Sequence, residues 1–76
     1  MNETEIEAMI ASPAERDELV VQLFVKDGGQ WGEIYREGHA YWIELYISGS
    51  TTLRFNVDTL TQTMDRAKTE LRDRLE

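Results

Sequence analysis

The residues of this 76-residue chain best placed to do chemistry are Glu33 and Glu44, with a lone histidine, His39, between them and Trp31, Tyr35, Trp42 and Tyr46 alongside. Two carboxylates brought together can serve as general acid and base, as in glycoside hydrolysis, if a cleft keeps water out. The same carboxylates beside aromatic faces can instead hold a cation, by Coulomb attraction and by the ring quadrupole. His39 as a general base needs an orienting carboxylate and a nucleophile. Glu37 is the sole acid close to it in sequence, so His39 reads as a turn residue. Gly28, Gly29 and Gly32 lack the spacing of a phosphate-binding loop, and no helix follows them. There is no cysteine, which removes disulfides and thiolate metal sites. Glu3, Glu5 and Glu7 diverge on a helix rather than converging on a calcium ion. No cofactor or metal and no catalytic set is therefore expected.

Whether Glu33 and Glu44 meet depends on the elements that carry them. Thr4-Glu5-Ile6-Glu7 has the form of a capping box, and Ile6, Met9 and Ile10 recur at helical spacing. With Pro13 disfavouring helix at Ser12, this predicts a short N-terminal helix over residues 4–11 and a charged linker over 14–18. Residues 19–26, rich in β-branched and apolar side chains, end at Asp27-Gly28-Gly29 and predict a strand and a hairpin turn. Strands over 30–36, 40–47 and 51–56 follow, separated by Glu37-Gly38-His39 and Ser48-Gly49-Ser50. From Val57 the period changes. Leu60, Met64, Ala67, Leu71 and Leu75 form one apolar stripe, with Thr59 and Gln62 as a candidate capping box. The fold expected is a single α+β domain over 1–76. It comprises a short N-terminal helix and linker (1–18), a four-stranded antiparallel meander (19–56) and a C-terminal amphipathic helix on one sheet face (57–76).

The turns also fix a register, because directly opposed residues share a face. A two-residue Asp27-Gly28 turn places Phe24 against Trp31, Gln22 against Glu33 and Val20 against Tyr35. A Gly38-His39 turn places Tyr35 against Trp42, Glu33 against Glu44 and Trp31 against Tyr46. A three-residue Ser48–Ser50 loop places Ile43 against Phe55 and Glu44 against Arg54. One face then collects Leu19, Val21, Leu23, Val25, Ile34, Ile43, Leu45, Leu53, Phe55 and Val57, for the helix to cover. Gly32 lies among them and leaves space for a close approach of the helix. The other face carries the row Gln22–Glu33–Glu44–Arg54 between two aromatic rows, Phe24–Trp31–Tyr46–Thr52 and Val20–Tyr35–Trp42–Asn56. The N-terminal helix would dock on part of that face.

Composition restricts the partners of such a face. The net charge is −7, and residues 1–18 alone carry −5, with six acids against Arg16. Phosphate backbones repel that arm, so direct nucleic-acid binding is not expected, and the acidic central row argues against base stacking on the aromatics. No apolar run approaches the ~20 residues of a membrane span, and Met-Asn-Glu-Thr-Glu is not the start of a signal peptide. A soluble, cytoplasmic chain is expected. So short a domain has a small core, which favours association with another chain. The expected function is a protein-interaction module that binds a basic surface of another macromolecule. An inhibitor of the phage-encoded type, an immunity-type protein or a nucleic-acid-mimicking decoy has this size and charge. The binding residues would be Phe24, Trp31, Glu33, Tyr35, Trp42, Glu44, Tyr46 and Arg54, with a partner's lysine or arginine between the two glutamates. The alternative is a homodimer associating through the aromatic face, and a small enzyme using Glu33 and Glu44 is the third reading.

Overall fold

A computed structural model describes residues 4–26, 28–46 and 53–75. Four strands, β1 (Ile6–Ala11), β2 (Val20–Val25), β3 (Gln30–Glu37) and β4 (Ala40–Leu45), precede one helix, α1 (Val57–Leu75). They form an antiparallel sheet in the order β1-β2-β3-β4. The α+β class, the four-stranded sheet and the C-terminal helix agree with expectation, but the sheet's membership does not.

The segment expected as an N-terminal helix is strand β1, paired with β2 from Ile6↔Val25 to Ala11↔Val20. Ile6, Ala8 and Ile10 also alternate with Glu7, Met9 and Ala11, so the period of two is present beside the helical one. Eight residues are too few to sustain a helix alone. The unpaired edge of an apolar strand such as β2 gives them a full ladder of hydrogen-bonding partners instead. At the other end, residues 53–56 do not form the expected fourth strand. There the Thr4 N–H donates to the Arg54 carbonyl at 2.6 Å, and the Arg54 N–H donates to Thr4 Oγ1 at 3.1 Å. That contact ties the start of β1 to the approach to α1. The Ser48–Ser50 loop lies outside the described residues.

Strands β3 and β4 pair as the Gly38-His39 turn requires, through Glu33↔Glu44, Ile34↔Ile43, Tyr35↔Trp42 and Glu37↔Ala40. Gly38 adopts φ 64°, a left-handed conformation that glycine enters without a Cβ penalty. Between β2 and β3 the pairs Val21↔Ile34 and Gln22↔Glu33 are as expected, but the register then shifts, giving Leu23↔Gly32 and Phe24↔Gln30. The Val25 N–H donates to the Gly29 carbonyl at 3.1 Å, so the loop between them is one residue longer than a two-residue turn. The extra residue is absorbed as a β-bulge at Trp31.

That bulge changes the core. Trp31 joins Gly32 opposite Leu23 and turns to the helix side, where it is buried with Val21, Leu23, Ile34, Ala67 and Leu71. Its ring meets Phe55 at a centroid distance of 4.7 Å. The apolar stripe of α1 packs as its spacing implies, with Ala67 and Leu71 buried and Leu60, Met64 and Leu75 half-buried against the cluster. The helix lies over β1, β2 and β3. Ile43 and Leu45, expected in the core, are left 39% and 56% exposed on β4, and Val57 is exposed as well. The void at Gly32 is not used by the helix. A Cβ there would lie 3.2 Å from the Glu44 carbonyl and 3.5 Å from Leu23 and Leu45 side-chain carbons. Asn56, rather than Thr59, caps α1: its Oδ1 accepts the Thr59 N–H at 3.1 Å, and its carbonyl accepts the Leu60 N–H at 2.9 Å.

Candidate functional site

The sheet face opposite α1 is built from the alternate residues of four strands. Opposed pairs place Met9, Gln22, Glu33 and Glu44 in one row and Ala11, Val20, Tyr35 and Trp42 in the next. Residues 12–19, which join β1 to β2, fold back over these rows. Pro13 starts a turn closed by the Arg16 N–H donating to the Pro13 carbonyl at 3.2 Å. Val20 beneath this loop is fully buried.

From the loop, Arg16 reaches the centre of the face. Its Nε donates to Glu33 Oε1, and a terminal nitrogen donates to Glu44 Oε1 at 3.0 Å. The guanidinium carbon stands 3.7 Å from the centroid of the Tyr35 ring. Two opposed carboxylates beside an aromatic wall thus hold a cation, as the sequence implies, but the cation belongs to this chain. The Tyr35 hydroxyl donates to Glu44 Oε1 at 2.9 Å, and the Tyr46 hydroxyl donates to Glu44 Oε2 at 3.3 Å. Glu33 is 4% exposed, and Glu44 remains exposed at the outer side of the cluster.

The electrostatics follow from these contacts. Burial works against the charge on Arg16, but its hydrogen bonds to Glu33 and Glu44 outweigh that cost and raise its pKa further. The Tyr35 hydroxyl, then Arg16, hold the Glu44 carboxyl below the usual carboxylate value. Tyr35 is pushed up by its bond to Glu44, and Tyr46 by burial and then by the charge of Glu33. Each shift favours one state: Arg16 charged, Glu44 ionised and both phenols protonated. The cluster clamps the loop to the sheet.

Of the residues expected to share this face, the structure brings together Glu33, Tyr35, Trp42, Glu44 and Tyr46. Phe24, alternate to Gln22 on β2, lies on the same face further along the strand, half-buried and opposite Glu7. Trp31 is absent from the face because of the bulge, and Arg54 lies on residues 53–56, whose backbone bonds to Thr4. Arg16 is the residue that sequence reasoning passed over. The signal was available: it is the one cation in an 18-residue acidic arm, and the arm precedes a pair of opposed glutamates that need one.

Beside the clamp lies a groove of about 380 Å³ between the loop and the β3 end of the sheet. Glu15, Asp17, Glu18 and Glu37 rim it, with Tyr35 and Val20 below. The two arginines at its wall are both engaged, Arg16 in the clamp and Arg36 with Glu18 at 3.9 Å. Glu15, Asp17 and Glu37 make no ion pair among the described residues. Trp42, opposite Tyr35, is 54% exposed, and Tyr46 is 45% exposed. His39 sits exposed in its turn. Among the described residues no group of three or more histidines or carboxylates is gathered for a metal ion, and no helix is long and apolar enough to cross a membrane. Comparison of the chain with protein-family models, with curated proteins and with solved structures returns no match.

Proposed function

We propose that this chain is a small acidic protein-interaction module that binds a basic surface of another macromolecule through the groove between its 12–19 loop and strand β3. The observation that carries this reading is the rim of carboxylates Glu15, Asp17 and Glu37, which make no ion pair among the described residues, with the exposed Trp42 opposite Tyr35 of the groove. A lysine or arginine entering there gains Coulomb energy from several carboxylates, and Trp42 adds an apolar, quadrupolar contact. The glutamate pair on the sheet is a support for that site. Arg16 fills the place expected for a partner's cation, and in doing so fixes the loop that carries Glu15, Asp17 and Glu18. An inhibitor, immunity-type protein or nucleic-acid mimic would use such a surface, since each presents fixed carboxylates to a basic site.

A fluorescence titration tests the reading. In a Trp31→Phe background, Trp42 is the sole tryptophan and stands opposite Tyr35 of the groove. A lysine- and arginine-rich peptide should shift its emission with an affinity that falls as salt rises. Binding that ignores salt, or equal binding of an acidic peptide of the same length, would exclude it.

A further inference from the structure

Strand β4 forms one edge of the sheet, and no described segment pairs with its outer side. Its hydrogen-bonding phase can be read from one contact, the Tyr46 N–H donating to the Trp31 carbonyl at 2.8 Å. In an antiparallel ladder, alternate residues turn both backbone groups to the same neighbour. Glu44, Trp42 and Ala40 therefore face β3, and Tyr41, Ile43 and Leu45 present their N–H and C=O groups outward.

Four side chains at this edge are exposed, while Tyr41 is half-buried against the core. Trp42, Ile43, Leu45 and Tyr46 are 54%, 39%, 56% and 45% exposed, from both faces of the sheet. Monomeric sheets blunt such an edge with lysine, proline or a bulge. Strand β4 has none of these, and its one charge, Glu44, is held by Arg16. From α1, Lys68 reaches the Tyr41 ring at 5.6 Å, and the opposite edge is covered further. Strand β1 carries Glu7, lies against α1, and has Arg66 and Arg74 of that helix beside it.

We infer that β4 pairs antiparallel with β4 of a second copy about a two-fold axis at Ile43, joining two sheets into one of eight strands. The outward residues 41, 43 and 45 are symmetric about Ile43, so this register opposes Ile43 to its own copy and Tyr41 to the partner's Leu45. All three outward residues of each strand are then satisfied. An axis at Trp42 or at Glu44 satisfies only two, and the latter opposes Glu44 to its own copy, a like-charge pair. The axis at Ile43 opposes Glu44 to Trp42 instead, with the guanidinium of Arg16 already on that carboxylate. Ile43, Tyr41 and Leu45 then cover one another on the sheet face that carries α1, beside Met64 and Lys68 of the helix. This inference shares Trp42 with the groove reading, since the axis at Ile43 opposes it to the partner's Glu44, but strand pairing leaves the loop and Glu15, Asp17 and Glu37 accessible.

Sedimentation velocity over a range from low to high micromolar concentration tests it. The wild-type chain should pass from monomer to dimer. Ile43→Lys, which puts two like charges at the axis on an exposed position, should raise the midpoint by at least about tenfold with an unchanged circular dichroism spectrum. Ile43→Cys supplies a second test, because the chain has no other cysteine. Hydrogen-bonded pairs have Cα atoms about 5.5 Å apart, within disulfide range, so mild oxidation should link two chains at Ile43→Cys and not at the exposed helical control Thr69→Cys. A chain that stays monomeric throughout the range overturns the inference. So does a dimer that survives Ile43→Lys, or cross-linking that is equal at the two positions.

Discussion

Replacing Arg16 by methionine keeps most of the side chain's apolar stem and removes its charge, leaving Glu33 buried without its cation. The side chains of Arg16 and Glu33 are 24% and 6% exposed, so the pair lies between two regimes. Exposed ion pairs contribute about 0–1 kcal/mol. Removing one member of a fully buried pair costs about 3–5 kcal/mol, because the survivor keeps its desolvation penalty. With the carboxylate enclosed and the guanidinium partly wet, the expected loss is about 2–3 kcal/mol. A domain of this length has only ~4–11 kcal/mol of total stability, so the change is large. Urea unfolding measures it directly: with a slope of about 1 kcal/mol per molar, the midpoint should fall by about 2–3 M at constant slope. Adding Glu33→Gln to Arg16→Met should recover at least half of the loss, since no charge is then buried alone. A single-variant loss below about 0.5 kcal/mol would place Arg16 with ordinary surface arginines and refute the clamp.

Further predictions concern the same face and its supports. Because Glu44 titrates below its ordinary value in the folded chain, the stability it confers is full above the usual carboxylate range and is lost as pH falls through the folded value. Tyr35→Phe, which removes the first cause of that shift, should move the acid limb of a melting-temperature profile to higher pH. Tyr35 and Tyr46 titrate above the usual phenol value, so their contribution is full below about pH 10 and is lost as pH rises through their folded values. Ultraviolet titration should accordingly show two tyrosines ionising late. Trp31 is buried with its indole N–H unpaired among the described residues, so Trp31→Phe should cost less than about 1.5 kcal/mol and Trp31→Ala about 3–5 kcal/mol. Trp42→Ala should stay within about 0.5 kcal/mol by the same urea assay. Asn56→Ala, which removes the cap of α1, should cost about 1 kcal/mol, and Asn56→Asp should restore most of it.

Where the sequence contained two mutually consistent signals, it was legible. The apolar stripe of α1 and the Gly38-His39 turn each combine a period with a punctuating residue, and both α1 and the β3–β4 register match the structure. Strand β1 was misread because residues 4–11 satisfy two periods at once, and the deciding factor, the open edge of β2, is a tertiary one. One residue of loop length misplaced Trp31: Asp-Gly reads as a two-residue turn, while the actual loop is longer and a bulge restores the register. The opposition of Glu33 and Glu44 survived that error because it lies on the far side of the bulge. The need for a cation between them was legible from charge alone. That the chain supplies its own, from a loop 17 residues upstream of Glu33, depended on how that loop folds.

We propose that a basic partner binds in the groove between the 12–19 loop and β3. Amide chemical-shift mapping during titration with a lysine- and arginine-rich peptide tests it most directly. The largest changes should cluster at Glu15, Asp17, Glu18, Glu37 and the Trp42 indole, and Glu15→Gln with Asp17→Asn should abolish them. Changes spread over the exposed face of α1, or a response indifferent to those two substitutions, would contradict it.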